Sequence, residues 1–165
     1  MFTQKLAWMS SLILAFGLSS AAHAGVDGTW GGSLHWTDGD GRDEYLDCGL
    51  DVSQDDQTLV LEDITGQCFF FAGMLSTTFD KQDGALYLNG EEVGQVSGDE
   101  IRIASPVGGN AKLDLVVSAT ADGGVSVSEV LSFDDGWTDS LGGTMSAQKG
   151  PFRSRVGVSR SQRQR

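Results

Sequence analysis

The stretch Cys48-Gly-Leu-Asp-Val-Ser-Gln-Asp-Asp-Gln-Thr-Leu-Val-Leu-Glu-Asp-Ile-Thr-Gly-Gln-Cys68 decides how the chain is read. Its two cysteines are the only ones in the sequence, and two strand-like runs lie around and between them. Leu46, Cys48, Leu50 and Val52 alternate with Tyr45, Asp47, Gly49 and Asp51, the period of a half-buried strand. Gln54 to Gln57 turns, and Thr58 to Ile64 forms the next strand. Thr65-Gly66-Gln67 then turns into Cys68-Phe-Phe-Phe-Ala-Gly-Met-Leu75. That run is apolar on both faces, so a fourth strand is expected there, the most buried of all. A Cys48–Cys68 disulfide would close the loop and stabilise the fold by about 3 kcal/mol in the chain-entropy model.

Upstream, Trp30, Gly32, Leu34 and Trp36 alternate with Thr29, Gly31, Ser33 and His35, which predicts a first strand. The cluster from Thr37 to Asp43 turns it into the second. Further upstream lies an export signal. Lys5 gives a positive start, Leu6 to Leu18 is apolar, and Ala22-His23-Ala24 is a small-x-small cleavage site. The apolar run is short for a membrane span, and no second one follows. Residues 1–24 are therefore expected to be a cleaved signal peptide, residues 25–148 a single domain, and residues 149–165 a disordered basic tail. A periplasmic or secreted location follows, and it permits a disulfide.

Downstream, each turn can be tested by parity, because a one-residue slip moves every side chain to the other face of a sheet. Asn89-Gly90 is a two-residue hairpin signal, so the inward face should switch from Leu86 and Leu88 to odd numbers, with Val93 opposite Leu86. Ser97-Gly98-Asp99 read as a three-residue turn keeps Ile101 and Ile103 odd. Asp122-Gly123-Gly124 pairs Leu113, Leu115 and Val117 with Phe133, Leu131 and Glu129. Asp134-Asp135-Gly136 places Phe133 opposite Trp137. The apolar face agrees across every turn, which predicts an all-β antiparallel meander of eight to ten strands. Closure into a barrel would remove its open edges.

Charge is divided along the chain. All 23 acidic residues lie between Asp27 and Asp139, against Arg42, Lys81, Arg102 and Lys112, a balance of −19. Six basic residues follow from Lys149 onward. Such a domain repels nucleic acid and anionic lipid.

Glu129 shares a face with Val125, Val127, Leu131 and Phe133, and Asp139 shares one with Trp137 and Leu141. Burying an unpaired charge is costly, so an inward Glu129 must be wet, neutral or paired. One reading makes it the polar spot of a ligand cavity walled by Trp36, Phe133, Trp137 and Asp139. The other turns it outward on a bulge or wets it from the barrel mouth, and makes the aromatics plain core. Asp38, Asp40, Asp43 and Glu44 crowd one turn. They read as a solvated acidic turn or an irregular calcium site, and the EF-hand pattern fails because Trp36 stands where its first Asp belongs. His35 is the only histidine after residue 24 and faces away from Trp36, so neither a nucleophile-and-base pair nor a metal cluster is apparent. No enzyme activity and no cofactor are expected.

Gly28-Thr29-Trp30 at the head of a strand meander resembles the calycin group, which includes lipocalins, fatty-acid-binding proteins and avidins. The resemblance implies a small barrel, a Trp packed at its closed end, and an apolar or amphipathic ligand. The early Gly-x-Trp and the cysteine pair also resemble the bacterial metalloprotease inhibitors of the Inh type, which implies instead a secreted protein partner.

Overall fold

Among the described residues ten strands form from the alternating runs, one of them displaced from its expected place. The computed structural model describes residues 25–70, 76–108 and 110–149. The expected signal peptide and all but Lys149 of the expected tail lie outside the described residues, as do Phe71 to Leu75. In chain order the strands are β1 (Gly28–Thr37), β2 (Asp43–Gln54), β3 (Thr58–Asp63), β4 (Ser76–Gln82) and β5 (Ala85–Leu88). They continue as β6 (Glu91–Ser97), β7 (Glu100–Gly108), β8 (Ala111–Ala119), β9 (Val125–Phe133) and β10 (Thr138–Ala147). Each pairs antiparallel with its sequence neighbour, and β1 pairs with β10 to close the barrel. No helix among the described residues is long and apolar enough to cross a membrane.

Parity holds through most of the wall. Even-numbered Trp30, Leu34, Cys48, Leu50 and Val52 are buried on β1 and β2, and odd-numbered Leu59 and Leu61 on β3. Odd-numbered residues are buried from β7 to β10: Ile101, Ile103, Leu113, Leu115, Val117, Val125, Val127, Leu141 and Met145. These side chains fill the bore, and full burial of each aliphatic one is worth about 1.5–3 kcal/mol. At one end Val26 is buried beneath the strands and its carbonyl accepts a hydrogen bond from Trp30 Nε1 at 2.8 Å, which closes that end. The β1–β10 seam needs glycine: a Cβ on Gly32 would lie 2.8 Å from the Thr144 carbonyl oxygen.

Four sequence expectations are corrected. Cys68 to Phe70, where a fourth strand running to Leu75 is expected, are not in a strand, and Phe71 to Leu75 lie outside the described residues. Cys68 and Phe69 leave the sheet after β3, and β4 begins at Ser76. The reason is Asp63, whose carboxylate captures the amides of the following residues and bends the chain off the sheet.

Val93 does not sit opposite Leu86. Leu86 pairs with Gly94 and Tyr87 with Glu92, so Val93 is the extra residue of a β-bulge. The next turn contains two residues rather than three, because Ser97 pairs with Glu100. The bulge flips the face of β6 once and the short turn flips it back, so Ile101 and Ile103 still point inward. Finally, Leu115 pairs with Glu129 and Leu113 with Leu131, two residues away from the expected register. Thr120 N donates to the Gly124 carbonyl, so the loop is Ala121-Asp122-Gly123, one position earlier than its glycines suggest. The Asn89-Gly90 turn is as expected, with both residues at positive φ and Leu88 paired to Glu91.

Candidate functional site

Unequal strand lengths open the barrel wall at the end opposite Trp30. The β5–β6 hairpin is short. β4 pairs with β5 only from Asp80 to Gln82, and β6 pairs with β7 only from Glu100 to Ile103 on the β7 side. The β4–β5 ladder therefore stops short of Ser76, and the β6–β7 ladder stops short of Gly108. The gap between these two edges is a half-open cavity of about 570 Å³. Leu88 and Asn89 at the hairpin tip form its floor, and Phe70, Phe79, Ile103 and Leu113 line it from within. Ser76, Thr77 and Thr78 form one side and Ser105, Pro106 and Val107 the other. Val107 is 45% exposed at the rim, whereas Ser105 is only 6% exposed.

Phe70 reaches the cavity because two buried carboxylates hold the segment that carries it. Asp63 is 1% exposed and accepts five hydrogen bonds. Its Oδ1 takes the amides of Thr65 and Gly66 at 2.9 Å and the Thr65 hydroxyl at 2.5 Å. Its Oδ2 takes the amides of Cys68 at 2.8 Å and Phe69 at 2.9 Å. The Phe70 amide donates to Glu129 Oε2 at 3.0 Å. β3 and β9 stand four strands apart round the barrel, so this last bond marks where the segment crosses the bore. The Cys48–Cys68 disulfide, with Cα atoms 5.7 Å apart, ties the same segment to β2. A backbone crossing an apolar interior must have its polar groups satisfied, and these carboxylates supply the acceptors.

Glu129 is thus fully buried on the inner face, as its parity requires, and it serves the chain's own backbone. The other four residues expected beside it lie at the same end of the barrel but on the β1, β9 and β10 side. Trp36 is half-buried, packs against the core and pairs with Leu141. Phe133 stands opposite Trp137, whose carbonyl accepts the Phe133 amide at 2.9 Å. Trp137 Nε1 donates to Asp139 Oδ1 at 3.1 Å, and its ring covers Gly39 so closely that a Cβ there would lie 2.9 Å from Trp137 Cδ2. None of these five residues is in the lining of the wall cavity.

The acidic turn is organised by its own amides. Asp38 Oδ1 accepts from Asp40 N at 3.0 Å and Arg42 N at 2.9 Å, and Asp43 Oδ1 lies 2.6 Å from His35 Nε2. Among the described residues no three His, Cys, Asp or Glu side chains gather into a metal-holding group. Shifted carboxyls lie on the outer surface. The Gln57 amide, then that of Thr58, holds Asp55 below the usual carboxylate range, and the Arg102 guanidinium does the same for Glu100.

Sequence reasoning missed Asp63 and the cavity walls. Asp63 had a signal, since it continues the buried parity of Leu59 and Leu61 and precedes Thr65-Gly66. The cavity had none in any single motif, because it arises from a difference between strand lengths.

No protein-family model and no curated protein matches the chain. Among solved structures, a redesigned β-barrel matches with a TM-score of 0.37 and 13% identity, over 75% of this chain and 92% of the other. A second redesigned β-barrel, mFAP1, bound to DFHBI, matches with a TM-score of 0.35 and 14% identity, over 73% of this chain and 94% of the other. Neither likeness is close enough to bear on what this chain binds.

Proposed function

We propose that the protein is an exported binding protein for a small apolar or amphipathic molecule, held in the wall cavity between β4 and β7. The observation that carries this reading is the cavity itself. Its volume of about 570 Å³ falls in the range of small-molecule sites, and its surface is apolar with a few hydroxyl and amide groups. The site differs from the one expected around Trp36, Phe133, Trp137 and Asp139, and Glu129 is linked to it through the Phe70 amide. The calycin resemblance belongs to the same reading. Trp30 packs at the closed end, as a Gly-x-Trp tryptophan would, while the strand number is ten rather than eight. Binding rather than catalysis is supported by His35, which lies on the outer face of β1, paired with Asp43. An oxidising compartment outside the cytoplasm suits the Cys48–Cys68 disulfide.

A second reading, contact with a secreted protein, is favoured by the edge of β7 that runs beyond its pairing with β6, since such an edge is a template for an added strand. Titration with an environment-sensitive apolar fluorophore separates the two. Saturable binding at one equivalent, abolished by Ser105→Phe with thermal melting preserved, is the expected result. Binding that survives a filled cavity would remove the ligand from this site, and a complete lack of binding would favour the protein partner.

A further inference from the structure

We propose that the wall cavity selects an uncharged amphiphile, with an apolar body and a neutral hydroxyl or carbonyl head; this rests on the ligand-site reading above. None of the twelve described lining residues is ionisable. A buried carboxylate head would therefore meet no cation, and an ammonium head no anion. An ion that gives up its hydration without a partner binds poorly.

The surroundings weigh further against an acid. Among the described residues the two buried charged-type side chains are both carboxyls, Asp63 and Glu129, and Glu129 accepts the amide of Phe70, which lines the cavity. Neither is a cation that could pair with an acidic head. The four basic residues between Asp27 and Asp139 are already engaged. Arg42 lies 3.7 Å from Asp38, Arg102 2.5 Å from Glu100 and Lys112 3.0 Å from Asp114. Lys81 donates to Gln54 and to the Asp55 carbonyl. None of the four is in the lining of the cavity.

A neutral head, by contrast, finds matching groups. Ser76, Thr77, Thr78, Ser105 and Asn89 supply side chains that both donate and accept. They flank the cavity on both sides and at its floor, while Phe79, Ile103 and Leu113 receive an alkyl or ring body.

The test uses three probes that differ only at the head: 1-decanol, decanoate and decylammonium, titrated calorimetrically at neutral pH below their aggregation thresholds. Decanol is expected to bind at least tenfold more tightly than either ion. Decanoate or decylammonium binding as tightly as decanol would overturn the selectivity and leave the ligand site standing. No binding by any of the three would overturn the ligand site and the selectivity with it. Val107→Lys, at the exposed rim, places a cation beside the cavity without disturbing the core, and it should raise decanoate affinity relative to decanol at least fivefold. An unchanged ratio would place the head elsewhere and overturn the assignment.

Discussion

At the scale of single residues, the interior depends on two acids in an apolar bore. Asp63 works because an aspartate that ends a strand can accept the amides of the residues after it, and here four amides and one hydroxyl converge on it. Asp63→Asn keeps one acceptor oxygen but turns the other position into a donor. That donor would then face either the amides of Cys68 and Phe69 or those of Thr65 and Gly66. Leaving two buried amides unsatisfied should cost about 2–4 kcal/mol. Urea unfolding checks this, and a loss smaller than about 0.5 kcal/mol would mean the segment is held by other means. Glu129→Gln retains an acceptor for the Phe70 amide and should cost less than Glu129→Leu, which removes it; the reverse order would contradict the role given to this carboxylate. Glu129 was legible in the sequence because it breaks an apolar face. Asp63 breaks one too, but reading β3 as far as Ile64 hid it, and no local pattern reveals that a carboxylate will bind amides rather than a ligand.

At the scale of elements, faces were more legible than registers. Side-chain parity survives any shift of two, so Leu115 and Leu131 keep the same parity even though β8 and β9 are displaced by two from the expected pairing. β4 escaped notice because Phe79 is its single large apolar residue, although Asp83-Gly84 announces its hairpin with both residues at positive φ. The bulge at Val93 was not legible, since it depends on what β7 presents across the sheet. Gly94 pairs with Ile103, and a Cβ on it would lie 2.1 Å from the Arg102 carbonyl oxygen. Backbone cannot yield as a flexible side chain would. Gly94→Ala should therefore destabilise by about 3 kcal/mol, at the upper end of overpacking costs. Gly90→Ala, at a hairpin tip with open space around it but positive φ, should cost only about 1 kcal/mol. Equal losses in thermal or urea unfolding would show that the bulge relaxes around the added methyl.

At the scale of the molecule, closure and charge pull in different directions. The seam between β1 and β10 joins Trp30 to Ala147, the most distant pairing along the chain, while every other pairing links neighbouring strands. That closure was legible as the remedy for open edges, whereas the wall cavity was not, because it requires comparing four-residue β5 with nine-residue β7. The domain that closes this way carries 23 acids against four bases between Asp27 and Asp139. Arg102 and Lys112 pair with acids two residues away on their own strands, and Arg42 with one in its own turn. Such local pairs cancel little of the field of the remaining carboxylates. Compacting like charges destabilises the folded state, and salt screens that repulsion within about 10 Å at 0.1 M. Raising potassium chloride from low concentration to half-molar should therefore raise the melting temperature. Relief of about 1 kcal/mol corresponds to a rise of about 4 °C for a domain of this size. The surface ion pairs are weakened by the same salt, but each is exposed and worth little. A melting temperature that falls with salt would mean that these local pairs, rather than the net repulsion, dominate the electrostatics of the barrel.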